Sequence, residues 1–260
     1  MMDADIFDQF IDQLGRYVRE RLIPAEKDIL ESDVIPDAIV DEMRELGLFG
    51  LTTPEEYGGA AMTIAQYIRT IRTLSYAAPC YRSIVSINIG MVCSALKNGG
   101  TEEQKAEWLP RLAAGEIASF GLTEPGSGSD SAAMQTSAVK SGNGWVLNGT
   151  KRYITNAPFA KVALIMARTN KEALPKNAHV SAFIVPLDTP GISVGSPDKK
   201  MGQAGAHIAD IIMEDVKLPA DALLGGEEGR GFALAMKSLD NGRLSVGAAA
   251  TGYARRALDS

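Results

Sequence analysis

One run of the chain combines glycines, hydroxyl side chains and small residues in a pattern suited to holding phosphate groups. Residues 122–130 read LTEPGSGSD, and the apolar residues Ile117, Phe120 and Leu122 lead into them. Successive backbone N–H groups in such a loop can point at one anion, because glycine and serine put little side-chain bulk in the way. The same composition is also typical of a surface turn, so the rest of the chain has to decide between the two.

Other common catalytic motifs are not supported. Residues 191–195, GISVG, match the nucleophile elbow in letters only, because they follow a Thr-Pro-Gly turn and read as strand rather than as a strand-to-helix turn. The only histidines, His179 and His207, lack a second ligand set at metal-binding spacing. There is no Gly-Lys-Ser/Thr phosphate loop, and residues 126–128 lack the third glycine and following helix of a dinucleotide fingerprint. We therefore expect no metal site, P-loop or Rossmann domain.

The composition of the chain argues against nucleic-acid and membrane partners. The chain has 260 residues, of which 45% are hydrophobic and 22% charged, and its net charge of −6 offers no basic field for nucleic acid. Its two cysteines, Cys80 and Cys93, lie in a predicted helix and do not form a disulfide framework. The first residues are acidic and no apolar run reaches spanning length. We expect a cytoplasmic protein with no membrane or nucleic-acid partner.

Three segments differ in hydrophobic period. Residues 3–115 show helical spacing, with a helix stop at Gly47 and a capping box over 101–104. After Gly115, short β-rich runs follow at 145–147, 161–166, 180–185, 192–194 and 208–213, and residues 141–144 and 148–149 carry signals for tight hairpin turns. Helical spacing returns from Gly229 and runs without a cap to Ser260. We predict an all-α unit, then an all-β unit, then the start of a helical bundle.

Several motifs, in order, resemble those of the acyl-CoA dehydrogenase family of flavoproteins. They are TEEQK at 101–105 with WLP at 108–110, the run 122–130, LNGTK at 147–151 with ITN at 154–156, TPG at 189–191, KMG at 200–202, EDV at 214–216 with Pro219, GRGF at 229–232, and DNGR at 240–243. The resemblance covers essentially all 260 residues. It implies an N-terminal α-helical domain at 1–116, a middle antiparallel β-barrel domain at 117–226, and an incomplete C-terminal helical domain at 227–260.

The resemblance also implies FAD as cofactor and assigns residues to it. Phe120, Leu122 and Thr123 would line the flavin, and Gly128 and Ser129 would reach its diphosphate. A second group, Tyr153, Ile154 and Thr155, would lie across the flavin, although the family usually has Trp or Phe where this chain has Tyr153. Ser129, Asp240 and Arg243 would contact the acyl-CoA substrate.

The implied activity is α,β-dehydrogenation of an acyl-CoA thioester to a trans-2-enoyl-CoA, with electrons passed to an electron-transferring flavoprotein by a homotetramer. The catalytic glutamate is expected after Ser260, and its alternative position, directly before Arg243, is Gly242. No catalytic residue is therefore assigned in this chain, which we expect to be inactive alone. The acyl group would be short or medium, in a pocket formed partly by helices near residues 76–96.

Two alternatives remain open. The first is a non-catalytic two-domain protein that binds acyl-CoA or flavin, although a short protein of this kind should cap its last helix and carry polar residues in place of Leu244, Val246 and Leu258. The second is an oxidase or monooxygenase of the same fold.

Overall fold

The structure is a computed structural model, and it describes residues 3–170, 172 and 176–260. Its first part is helical. The helices are α1 (Ala4–Tyr17), α2 (Ile23–Ser32), α3 (Asp37–Glu45), α4 (Ile64–Leu74), α5 (Pro79–Ser86), α6 (Ser94–Gly99) and α7 (Glu102–Ala113), with π-helical segments at Val18–Leu22 and Ile87–Cys93.

Local sequence explains where these helices begin and end. Thr63 and Thr101 each accept a hydrogen bond from the backbone three residues on, while Gln66 and Gln104 return a bond to the cap residue, so both helices start with a complete capping box. Gly47 follows α3 with a φ of 68°, a left-handed conformation that glycine adopts without steric cost. The predicted capping box at 101–104 and the predicted stop at Gly47 are confirmed.

Within the described residues, a curled sheet of seven strands follows. The strands are β1 (Ala118–Gly121), β2 (Ser137–Ser141), β3 (Gly144–Thr155), β4 (Val162–Arg168), β5 (Val180–Pro186), β6 (Ile192–Val194) and β7 (Ile208–Pro219). They lie in the order β1-β4-β2-β3-β7-β6, and β5 pairs with β4. Most pairs are antiparallel as predicted, but β1 and β2 both pair parallel with β4. The sheet is therefore mixed.

One predicted turn is wrong. The hairpin at residues 141–144 is present, between β2 and β3, but Asn148 and Gly149 lie inside the 12-residue β3. The register between β3 and β7 shifts here because β7 carries one extra residue, and Asn148 exchanges two hydrogen bonds with Asp215, at 3.0 and 2.8 Å. The bulged residue therefore belongs to β7, where Asp215 has a φ of +51°, and Gly149, which pairs with Met213 across from the bulge, has a φ of +146°.

The last helix, α8 (Gly231–Asp259), packs back on the first part of the chain. Near its end, the Arg256 guanidinium binds the Glu26 carboxylate of α2 and the Tyr76 carbonyl. The sheet is tied to the helices by Asp33, which accepts a hydrogen bond from the Gly205 backbone at 2.7 Å and bonds His207 through its carbonyl. Both cysteines are buried free thiols.

None of the helices in the described residues is both long and apolar enough to cross a membrane. The helix-to-strand change falls between Ala113 and Ala118, and α8 begins at Gly231. The domain limits at 116/117 and 226/227 stay predictions.

Candidate functional site

The site forms where the loop after β1 runs beside the end of β3. The Arg152 backbone N–H donates to the Thr123 carbonyl at 2.8 Å, and the Ser119 hydroxyl donates to the Thr155 carbonyl at 3.0 Å. Residues that are some thirty positions apart in sequence therefore become neighbours. This contact brings the predicted flavin residue Thr123 to the segment that holds Tyr153 and Thr155.

A buried ion pair holds the glycine-rich loop in place. The Lys151 ammonium lies 2.7 Å from the Glu124 carboxylate, and the two side chains are only 0% and 5% exposed. Lys151 also donates to the Leu122 carbonyl, at 3.3 Å, while Glu124 accepts from the backbone N–H groups of Gln135 and Thr136. The pair thus ties the start of the loop to the segment that leaves it.

Burial and pairing act on these two groups together. Burial lowers the pKa of Lys151 from its ordinary 10.5 to about 8, because removing water disfavours the charged form more than Glu124 restores it. Desolvation opposes ionisation of Glu124, but the Lys151 charge and the backbone donors outweigh it, so the pKa of that carboxyl is lowered. Both groups are charged near neutral pH, and each provides the counter-charge of the other.

The tip of the loop presents free backbone donors. Within the described residues, the N–H groups of Gly126, Gly128 and Ser129 donate to no other group, and all three residues are exposed. A Cβ atom added at Gly126 or Gly128 would meet nothing within 4 Å. Ser127 does the opposite, because its hydroxyl turns inward to the Asp130 carbonyl at 2.7 Å. Such a tip offers unbonded backbone donors at Gly128 and Ser129, the kind of groups that bind anions.

A bulge in β3 turns Tyr153 outward. Between Lys151 and Ile154 the strand holds one more residue than β7 opposite, and Tyr153 has a φ of +58°. Tyr153 is 56% exposed, with the Arg152 guanidinium 4.7 Å from its ring centre, whereas Ile154 is buried in the sheet core. A large exposed aromatic ring beside an open loop is a surface suited to a planar ligand.

The predicted residues before the loop lie deeper. Leu122 is buried between the sheet and the π-helical segment, and Phe120 packs partly buried against the same cluster. Thr123 is partly buried and its carbonyl is already bonded to Arg152. Phe120 and Leu122 can therefore supply an apolar floor, while Thr123 offers its hydroxyl.

Thr155 opens into a cavity of about 250 Å³ between α5 and the segment that precedes β7. Its walls carry hydroxyl, aliphatic and cationic side chains, namely those of Arg82, Ser83, Ser86, Ile87, Lys200 and Gln203. Ser83 and Ser86 belong to α5 and Ile87 to the π-helical segment, so helices near residues 76–96 form part of this wall. That the wall belongs to an acyl pocket stays a prediction.

Asp240 and Arg243 are placed differently from the other predicted residues. They form an ion pair with each other on α8, and each side chain is 70% exposed. Asn241, between them, donates to the Ser94 hydroxyl at 3.1 Å, so this turn of α8 packs on α6. The structure joins the two predicted substrate residues to one another and not to the loop, and their role stays a prediction.

Two charged residues of this region escaped the sequence analysis. Lys151 occupies an inward position of β3, in step with Trp145 and Leu147, and a lysine in such an apolar alternation is a signal that a buried partner exists. Arg82 gives no comparable signal in the sequence, because only the folded structure places it in the same cavity as Thr155. Among the described residues, no group of His, Cys, Asp and Glu side chains could hold a metal ion.

Comparison with known proteins identifies the family of the chain. The family model for the acyl-CoA dehydrogenase N-terminal domain matches residues 7–116, and the model for the middle domain of the same family matches residues 119–216. The chain belongs to the acyl-CoA dehydrogenase family. The predicted relationship and the predicted fold are confirmed.

Individual relatives agree. The human mitochondrial short-chain specific acyl-CoA dehydrogenase is 37% identical over 244 residues, which are 94% of this chain and 58% of the relative. Butyryl-CoA dehydrogenase from Megasphaera elsdenii has a TM-score of 0.93 at 32% identity, covering 100% of this chain and 68% of that one. A glutaryl-CoA dehydrogenase from Mycobacterium smegmatis in complex with FADH2 has a TM-score of 0.89 at 34% identity, covering 99% and 64%. The chain spans about three fifths of the length of its curated relatives.

FAD is the cofactor of this family, and the described residues fit it. Free backbone donors at Gly128 and Ser129 suit a diphosphate, and the exposed ring of Tyr153 suits a planar ring system. The Thr155 hydroxyl, which makes no hydrogen bond within the described residues, is free to bond a polar ring atom.

Proposed function

We propose that the natural protein containing this sequence dehydrogenates the α,β bond of an acyl-CoA thioester to give a trans-2-enoyl-CoA. The observation that carries this proposal is the convergence of an open anion-binding loop tip, an exposed aromatic ring and a cavity at Thr155. These are the three features needed for a dinucleotide phosphate, a flavin ring and an acyl group. Membership in the acyl-CoA dehydrogenase family supports the reaction class.

Each group of residues has a task in this proposal. Gly128 and Ser129 bind the FAD diphosphate through their backbone, and Ser129 also contacts the CoA portion of the substrate. Phe120, Leu122 and Thr123 line one side of the flavin. Tyr153, Ile154 and Thr155 line the other, with the Tyr153 ring packed on it and the Thr155 hydroxyl aimed at its polar atoms. When bound, FAD accepts the hydride that leaves the β carbon, and the protein supplies position and electrostatics.

The α-proton needs a carboxylate base and a polarised thioester carbonyl, because a proton next to a thioester is only weakly acidic. Neither family position for the glutamate falls on a carboxylate in this chain, since the position before Arg243 is Gly242. The proposal therefore assigns the base outside residues 1–260. Asp240 and Arg243 are proposed to contact CoA from α8, which requires their mutual ion pair to open or to present a shared face to the ligand.

Partners and assembly follow from the same proposal. The electron acceptor is an electron-transferring flavoprotein, and the natural protein is a homotetramer. A cytoplasmic location stays a prediction, because the human relative is named as mitochondrial.

The test is anaerobic mixing of the natural protein with butyryl-CoA while the visible absorbance of its flavin is followed. We expect the protein to purify with flavin and the absorbance to bleach in proportion to thioester added. A protein that purifies without flavin and does not take it up would contradict the proposal, and would favour a non-catalytic binding protein.

An oxidase or monooxygenase of the same fold is separated by the reoxidation step. After substrate reduction, a dehydrogenase passes its electrons rapidly to an electron-transferring flavoprotein and only slowly to dioxygen. Rapid recovery of flavin absorbance on admitting air alone, with stoichiometric use of oxygen, would identify the oxidase or monooxygenase instead.

A further inference from the structure

The cavity at Thr155 contains an unbalanced positive charge. Arg82, on α5, lines it, and Lys200 lines it from the opposite segment, whereas none of the described Asp or Glu residues does. The Arg82 Nε atom is buried and has no hydrogen-bond partner in the part of the chain that the structure describes. Among the described residues, Arg82 joins no ion pair, although other arginines of the helical part, such as Arg21 and Arg69, are paired with carboxylates.

The neighbours of Arg82 do not neutralise it. Tyr67 and Tyr253 are close enough for the guanidinium to act on them, but burial is the largest influence on both phenols and raises their pKa, so they are uncharged near neutral pH. A guanidinium stays protonated in proteins, and removing part of its water without supplying a counter-charge is costly; Arg82 is partly buried. The charge of Lys200 has a nearby counter-charge, because Lys200 helps to lower the pKa of the Asp33 carboxyl.

The cavity is small. Its volume of about 250 Å³ lies below the range of roughly 300 to 1,000 Å³ typical of pockets for drug-sized ligands, so it suits a short chain. One wall holds Thr155, which the proposed function places at the flavin, and another holds Arg82 with the hydroxyls of Ser83 and Ser86. A short acyl group entering beside Thr155 would bring its far end to cations and hydroxyl donors. An anionic group fits that chemistry, and a methyl group does not.

We infer that the acyl group taken by this cavity carries a second carboxylate at its far end, and that Arg82 is the residue that selects it. The substrate class is thus the CoA thioester of a short dicarboxylic acid. Ser83 and Ser86 complete the carboxylate subsite as hydroxyl donors. The inference rests on the proposed function for the placement of the thioester, but not for the charge of the cavity. The names of the similar structures do not choose, since one is a butyryl-CoA and another a glutaryl-CoA dehydrogenase.

The experiment compares glutaryl-CoA with butyryl-CoA, which has the same acyl chain without the terminal carboxylate. The ratio of their kcat/KM values is measured for the natural holoenzyme, for Arg82→Met, for Arg82→Lys, and for Arg16→Met, which removes an exposed arginine of α1. We expect the wild type and Arg16→Met to favour glutaryl-CoA, and Arg82→Met to lower the ratio about 100-fold, because a site built around a polar partner discriminates strongly against its loss. Arg82→Lys keeps the charge without the planar fork and should lie between them.

Binding is measured separately from turnover, by the shift in thermal unfolding temperature that glutaryl-CoA, butyryl-CoA and free CoA produce. If neither thioester bleaches the flavin, the proposed function fails, while a larger shift with glutaryl-CoA that Arg82→Met abolishes would still support the carboxylate subsite. The inference is overturned if the wild type favours butyryl-CoA, or if Arg82→Met lowers both thioesters equally. It is also overturned if free CoA loses as much binding as glutaryl-CoA, since Arg82 would then serve the CoA phosphates.

Discussion

Gly128 and Gly149 differ in the space that surrounds them, so a methyl group added at each should affect stability differently. Gly128 faces open space at the loop tip, whereas a Cβ at Gly149 would lie 2.5 Å from the Thr136 hydroxyl and 2.7 Å from its Cα. Gly149 also has a φ of +146°, which L side chains rarely adopt.

We therefore predict that Gly128→Ala leaves the free energy of unfolding of the apoprotein within about 0.5 kcal/mol of wild type but weakens FAD about tenfold or more, because the methyl group occupies the anion's place. Gly149→Ala should instead lower the free energy of unfolding by about 2 to 4 kcal/mol. Denaturant unfolding of the apoprotein and fluorescence titration with FAD measure the two effects. Equal loss of stability in both variants would refute the assignment of the loop tip.

Thr155 gives a second test at this scale. Its hydroxyl makes no hydrogen bond within the described residues, so Thr155→Ala should change the free energy of unfolding by less than about 1 kcal/mol. It should slow flavin reduction by acyl-CoA about tenfold, because one hydrogen bond to the ring is lost. Stopped-flow absorbance measures the rate, and Thr150→Ala in the same strand is the control. Parallel losses of flavin content and thermal stability in Thr155→Ala would mean that the residue is structural.

At the scale of elements, the Lys151–Glu124 ion pair connects β3 to the loop after β1. The contribution of this pair to the free energy of unfolding depends on pH. The pKa of Lys151 is lowered to about 8 in the folded protein, while in the unfolded chain it returns to 10.5. Between these values the unfolded state binds more protons, so the free energy of unfolding rises with pH. The comparison protein is the double variant Glu124→Gln with Lys151→Met, which removes both charges and leaves neither partner alone.

The expected result is that the free energy of unfolding of wild type minus that of the double variant increases between about pH 8 and about pH 10.5. On the acid side the pKa of Glu124 is lowered below its ordinary 4.5, so its contribution is complete above that pH and is lost as the pH falls through the folded-state value. Urea unfolding at several pH values measures the difference. A difference that is constant or falls above pH 8 would show that Lys151 keeps an ordinary pKa.

Elements and loops were predictable to different degrees. Helices and strands follow from local spacing, and the capping box at Thr101 is visible in four letters. The wrong turn at Asn148 and Gly149 arose because local chemistry permits either a turn or a bulge, and only the extra residue in β7 decides between them. The partner of Lys151 lies 27 residues away, and no local rule gives such a pairing. The exposure of Tyr153 and the cavity at Arg82 likewise depend on how α5 and β3 meet.

At the scale of the whole molecule, the packing of α8 on the helical part depends on close backbone approach. A Cβ at Gly252 would lie 2.5 Å from the Arg72 carbonyl oxygen and 2.8 Å from Ser75 of the α4 end, while a Cβ at Gly247 would meet nothing within 4 Å. Both glycines lie in the same helix, where alanine is intrinsically favoured over glycine by about 1 kcal/mol.

We predict that Gly252→Ala lowers the free energy of unfolding by about 1 to 3 kcal/mol, because α8 must move away from α4. Gly247→Ala should leave it unchanged or raise it by up to about 1 kcal/mol. Thermal and denaturant unfolding of the two variants provide the measurement. Stabilisation by both substitutions would contradict the close approach.

The bulge of β3 determines what the loss of one codon would do to this strand. Before it, the inward positions of the strand are odd-numbered, as at Trp145, Leu147 and Lys151; after it, the inward residue is Ile154. One inserted residue thus lies between the regular part of the strand and the stretch that is predicted to contact the flavin. Loss of a single codon at Arg152 would place Ile154 two positions after Lys151, so both would still face the core while Tyr153 and Thr155 faced outward. The reading frame and the core face would survive such a deletion, and the bulge that gives Tyr153 its left-handed backbone would not.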